Sequence, residues 1–175
     1  GAAAAQSLDL LAERRSTLET PDVTEDPWRT LDAVFEHMFP AEPDSPGSRD
    51  IRAIPYLQNM LAAPDMDPDD RTFVRDGVGW LNDLAREHHA RDFVALDASA
   101  RERMLRQVER SGAGERWLSM LLDYLLEALL ADPVYGGNPD EIGWRWLEHQ
   151  AGYPLPPAGK RYFKLGKPVH RRTKA

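Results

Sequence analysis

The 175-residue chain contains no cysteine. That excludes disulfides, thiolate zinc sites, iron–sulfur clusters and haem attached through Cys-x-x-Cys-His, and it leaves the redox compartment open. Long apolar runs are missing too. No window approaches the roughly 18 consecutive apolar residues of a spanning helix, so no direct membrane span is expected. No segment sustains period-two alternation, and any strand should be short and late in the chain. Catalytic constellations are nearly absent. The five histidines are scattered, and none has a glutamate three residues before it, which removes the Glu-x-x-His element of a carboxylate di-iron bundle. His88 and His89 are adjacent and would point about 100° apart on a helix, too far to share one metal. Ser45, Ser99, Ser111 and Ser119 sit in no nucleophile-elbow motif. "GVGWLN", Gly77 to Asn82, lacks the third glycine and the preceding strand of a dinucleotide loop and carries Trp80 where the backbone should be bare. Acid pairs such as Asp69 and Asp70 read as solvated loop charge. The expectation is a chain with no catalytic residue, cofactor ligand or metal ligand of its own.

What the sequence does hold is an uneven charge. The net charge of −7 divides into residues 1–157, with 15 basic and 29 acidic residues and a charge of −14, and residues 158–175, with seven basic residues, no acid and a charge of +7. Phe163, Leu165 and Val169 are interspersed with those charges, which favours an arm laid on an acidic surface, its own or a partner's. The acidic body would repel phosphate, so no nucleic-acid partner is expected. At the other end "GAAAAQSLDLLAERR" starts without methionine. The alanine run is what the end of a secretory signal leaves, and a cloning junction explains Gly1 equally well. Arg14 and Arg15 lack the following apolar run of a twin-arginine signal and read as a helix end. The organisation expected is a processed or partly ordered segment over 1–23, a helical domain over 24–157 and a basic arm over 158–175.

Between the termini the pattern predicts an all-α, irregular multi-helix bundle. Thr24 is a plausible N-cap with Pro27 in the first turn, and Leu31, Val34, Phe35 and Met38 follow at helical spacing. "AEPDSPGSRD" is turn chemistry, after which Ile51 to Leu61 resumes a helix. From Arg71, the residues Phe73, Val74, Gly77, Trp80, Leu81, Leu84, Ala85 and His88 trace one face of a long helix, and Asp97 or Ser99 caps the next, Ser99 with Glu102 matching a capping box. The helix from about Glu115 to Leu130 is apolar nearly all round, its polar residues confined to one narrow stripe. Such a helix is expected to be buried on most sides, either by its own bundle or in part by another protein.

"DPVYGGNPDEIGWRWLEHQAGYPLPP", Asp132 to Pro157, breaks the helical pattern. Pro133 stops a helix, Gly136 and Gly137 permit backbone angles that a Cβ disfavours, Asn138-Pro139 sets a second turn, and "DEIGWRWLEHQ" makes a short helix. Large rigid rings at Tyr135 and Trp144 suit an interface as well as a core.

"DPVYGGN" followed by "GWRWLEHQAGYPLP" closely resembles the C-terminal signature of the gluconate 2-dehydrogenase subunit 3 family, and "LDAVFEHMFPAEPDSPGSRDIRAIPYLQNML" and "FVALDASARERML" resemble its earlier segments. The resemblance implies a non-catalytic small subunit that stabilises the large subunit of a FAD-dependent sugar or sugar-acid dehydrogenase of the glucose–methanol–choline type. It also implies export with that partner by the twin-arginine route to the periplasm. FAD is then expected in the partner, with haem c in a multihaem cytochrome subunit of some such complexes. A Gly/Pro-rich loop region and the arm supply the candidate partner interface: Tyr135, Gly136, Gly137, Asn138, Trp144, Trp146, Tyr153, Tyr162 and Phe163. The alternative in another class is a free-standing helical chaperone or binding module that releases its client.

Overall fold

The computed structural model describes residues 27–150, which form six α-helices and three short 3-10 turns. The candidate residues Tyr153, Tyr162 and Phe163, the segment 1–23 and the arm over 158–175 lie outside the described residues. The helices are α1 (Trp28–Met38), α2 (Ala53–Ala62), α3 (Pro68–His89), α4 (Ala98–Glu109), α5 (Gly112–Leu130) and α6 (Ile142–Trp146). Among the described residues there is no strand. A single antiparallel bridge, Glu42 with Ser45, closes the proline-rich turn, early rather than late in the chain.

Helix α5 is the hub and touches all five other helices. Its inward residues Trp117, Leu121, Leu125, Ala128 and Leu129 are buried against Leu31, Val34 and Phe35 of α1, Leu57 and Leu61 of α2, and Val74, Val78 and Leu81 of α3 within one continuous core. One buried polar link crosses that core. Asn82 Nδ2 donates to Thr30 Oγ1 at 3.1 Å, and its Oδ1 accepts from the Phe93 backbone N–H at 3.0 Å, tying α1 and α3 to the 3-10 turn Phe93–Ala95. "GVGWLN" thus lies inside α3, where its backbone N–H groups are committed to helical hydrogen bonds, which is incompatible with a phosphate-cradling loop.

Several helix starts differ from the sequence expectation for local reasons. Pro27 occupies the cap position of α1, and Thr24 is outside the described residues. Arg52 takes left-handed angles (φ 58°), so α2 opens at Ala53 and buried Ile51 stays outside it. Helix α3 starts at Pro68 rather than Arg71, because the Asp67 side chain caps the Asp69 N–H. Its buried face is Val74, Gly77, Val78, Leu81, Asn82 and Ala85, while Trp80 and His88 of the predicted face are exposed. Asp97, not Ser99, caps α4 by accepting from the Ala100 N–H at 2.8 Å, so the Ser99–Glu102 capping box is not formed. Glu102 instead reaches across to His37 of α1 at 2.7 Å, and that contact, with the Arg106 hydrogen bond behind it, holds its carboxyl below the usual range.

A leucine-lined acidic groove and the loop beneath it

Of the two expected ways of burying α5, burial by its own bundle alone is not what the structure shows. Its burial is one-sided: Leu122, Leu126 and Leu130 are exposed by 43%, 44% and 47%, larger exposures than a core helix tolerates. Spaced four apart, they form one line along the outer face. Two further apolar side chains, Val134 and Tyr135, extend it from the 3-10 turn Pro133–Tyr135, with Tyr135 58% exposed.

Beside this line runs a groove lined by Tyr56, Asp123, Leu126, Glu127, Leu130, Ala131, Asp132 and Tyr135. Three of those residues are carboxylates, and none forms an ion pair with a described cation. Asp132 caps its own turn, accepting from the Val134 N–H at 3.0 Å. Glu127 accepts from the Tyr56 hydroxyl at 3.2 Å across the α2–α5 seam. Burial first, then the charge of Glu127 and the hydrogen bond to it, push the Tyr56 phenol up to about 12. An unfolded tyrosine titrates near pH 10. The fold therefore favours the neutral phenol: its contribution is fully present below about pH 10 and is lost as pH rises through about 12. Ultraviolet titration of the native chain should show late tyrosinate transitions from Tyr56 and from Tyr124, whose phenol is likewise raised by burial and by the charges of Glu127 and Asp70, and Tyr56→Phe should remove one of them; if every tyrosine has titrated by about pH 10.5, the Tyr56–Glu127 contact is not formed in solution.

Under Tyr135 the glycine-rich loop is inside the chain's own packing. Gly136 has φ 96°, a conformation that a side chain would strain. Gly137 does not share that conformation; a Cβ there would meet the Ala128 carbonyl oxygen at 2.6 Å, so close approach to α5 is what requires glycine. Asn138 is fully buried at φ 46°. Its N–H donates to Ile51 O at 2.9 Å, its Nδ2 to Ala131 O at 3.0 Å, and its Oδ1 accepts from the Gly143 N–H at 2.7 Å. Asp140 and Glu141 are also left-handed, at φ 52° and 60°, so three non-glycine residues within four positions hold a costly backbone. The indole of Trp144 donates to Leu130 O at 2.8 Å and pins α6 on the end of α5. Trp146 sits elsewhere, 39% exposed and 5.9 Å from the ring of Phe39.

The structure thus divides the predicted residues. Gly136, Gly137 and Asn138 form a buried scaffold, Trp144 is half-buried on α5, and Tyr135 and Trp146 present rings to the outside in different places. Sequence reasoning missed Leu122, Leu126, Leu130 and Val134 as outward residues and the carboxylates beside them. A signal was there: each leucine follows a member of the polar stripe Ser119, Asp123, Glu127 by three positions, which on a helix places it next to that stripe. Among the described residues, no helix is long and apolar enough to cross a membrane.

A family model described as Gluconate 2-dehydrogenase subunit 3 matches residues 25–152. No curated protein and no solved structure matches the chain.

Proposed function

The chain belongs to the gluconate 2-dehydrogenase subunit 3 family, and on that premise we propose that it is a non-catalytic small subunit that stabilises a FAD-dependent dehydrogenase of the glucose–methanol–choline type. The observation that carries this reading is the open line Leu122, Leu126, Leu130, Val134 and Tyr135. Leucines held outward on the hub helix of a small bundle are worth little to the isolated chain and gain stability once a partner removes them from water. The flavin and its hydride chemistry belong to the partner, the oxidised substrate is a sugar or sugar acid, and electrons leave through a multihaem cytochrome where one is present. In this reading the pair reaches the periplasm together, exported by the twin-arginine route.

The loop divides its labour accordingly. Asn138 and the glycines set the backbone, and that backbone holds the Tyr135 ring outward beside the leucines. Tyr135→Ala and Leu126→Ser are each expected to cost roughly 1–2 kcal/mol of association, a five- to thirtyfold loss of affinity, with the melting point of the isolated chain almost unchanged. Purification from the native host with an absorbance spectrum tests the assembly itself. Co-elution with a yellow protein supports the subunit reading, whereas a chain that elutes alone and releases its client is the outcome of a free-standing chaperone. Unaltered affinity in both variants would move the interface away from α5.

A further inference from the structure

The groove beside the leucine line has a chemistry that says what fits it. It is an apolar trough, Leu126, Leu130 and the rings of Tyr56 and Tyr135, edged by Asp123, Glu127 and Asp132 with no described cation against them. Its complement is a segment in which positive charges are interspersed with apolar side chains. The chain carries one such segment. Residues 158–175 hold Lys160, Arg161, Lys164, Lys167, Arg171, Arg172 and Lys174 with no acid, interleaved with Tyr162, Phe163, Leu165 and Val169. The other end does not qualify: residues 1–26 carry six acids and two arginines and would be repelled.

We propose that residues 158–175 dock into the groove formed by α5 and the Pro133–Tyr135 turn of the same chain, covering the apolar line when no partner is bound. Geometry permits it. Trp144 is hydrogen-bonded to Leu130 at the groove's end, and the ten residues from Gln150 to Lys160 can span up to about 33 Å. Because the arm is tethered, it meets the groove at an effective concentration that a separate peptide would need to be millimolar to match. Electrostatics hold the arm in place, and salt weakens it. The device shields a surface that otherwise promotes self-association, and a partner that buries the leucines must displace it. This inference does not rest on the flavoprotein reading, since it concerns the chain by itself.

The sequence supplies a clean probe, because all four lysines lie in this arm and none in residues 1–157. Zero-length carbodiimide coupling of the full chain, followed by peptide mapping, therefore reports where the arm's lysines rest; the α-amino group is told apart by its own peptide. The expected result is coupling within one chain to Asp123, Glu127 or Asp132, reduced severalfold when salt is raised to about 0.5 M, where screening extends only a few ångströms. The second measurement is tryptic clipping at Lys160 and Arg161 in the full-length variant Asp123→Asn, Glu127→Gln, Asp132→Asn. Asparagine at 132 keeps the turn cap, so the fold should melt as the parent does, while clipping is expected to accelerate about fivefold or more because an undocked arm is open to the protease. Coupling spread over acids away from the groove, or no coupling, overturns the proposal. Coupling found only between chains would make a second copy the occupant, and coupling that appears only once the flavoprotein is added would make the complex the arm's site; either result also overturns it.

Discussion

Replacing Asn138 by alanine is expected to lower the melting temperature of the chain by roughly 10 °C or more. The reason lies in what the side chain does at full burial. Alanine leaves the buried Gly143 N–H without its partner, at about 1–3 kcal/mol, and removes the hydrogen bond to the part-buried Ala131 carbonyl, worth about 1 kcal/mol. It must also hold φ 46° without the local hydrogen bonds that let asparagine tolerate left-handed angles, a further cost of roughly 1–2 kcal/mol. The sum, roughly 3–6 kcal/mol, becomes the melting shift at about 2–4 °C per kcal/mol for a chain of this length. Asn138→Gly separates the two causes. It accepts the backbone angles but not the hydrogen bonds, so it should recover only about 1 kcal/mol of the loss. A thermal melt of Asn138→Ala within about 2 °C of the parent would show that the loop is not held as described. Because the same loop carries Tyr135, affinity for the partner should fall in Asn138→Ala through misplacement of that ring.

The second large effect is a reversal of sign between two glycines of one helix. Gly77 and Gly79 both lie within α3, where glycine is ordinarily a poor choice. A Cβ at Gly77 would run into the indole of Trp117, a fully buried ring whose Nε1 donates to Val74 O at 3.1 Å. That ring is rigid and enclosed on all sides. Gly77→Ala must therefore push α3 off α5 or expel the indole from its hydrogen bond, and the two costs together are roughly 2–4 kcal/mol. At Gly79 the same methyl meets nothing within 4 Å. Gly79→Ala should stabilise the chain by about 0.5–1 kcal/mol through the reduced entropy of the unfolded state. Chemical denaturation of the two variants side by side tests the packing directly. Equal and opposite-to-expected shifts, or a neutral Gly77→Ala, would mean that α3 and α5 do not cross at Trp117.

Both cases turn on residues whose sequence context suggested something else. Asn138-Pro139 carries the composition of an exposed turn, yet Asn138 is one of the most deeply buried polar side chains described. Gly77 sits in a fragment with the look of a nucleotide loop, yet it is glycine because an indole from another helix occupies the space of its side chain. In each, the decisive neighbour is distant along the chain: Ile51 for Asn138, Trp117 for Gly77.

The sequence by itself determined the all-α class, the stops at the proline- and glycine-rich segments and membership of the family, because these depend on hydrophobic period, on backbone preference and on a local run of residues. It also placed α1 to α5 to within a few residues, with errors at some starts, where one side chain such as Asp67 or Ser111 decides which N–H is capped. Which way α5 faces was not determined. Ten of its residues from Trp117 to Leu130 are large and apolar, so almost any rotation buries a good stripe and periodicity has no preference among them. Only the packing of α1 to α4 and α6 chose Trp117, Leu121, Leu125 and Leu129 for the core and turned Leu122, Leu126 and Leu130 outward beside Asp123 and Glu127. Rotation of an all-apolar helix is a question of which neighbours surround it, and that information resides in the other helices.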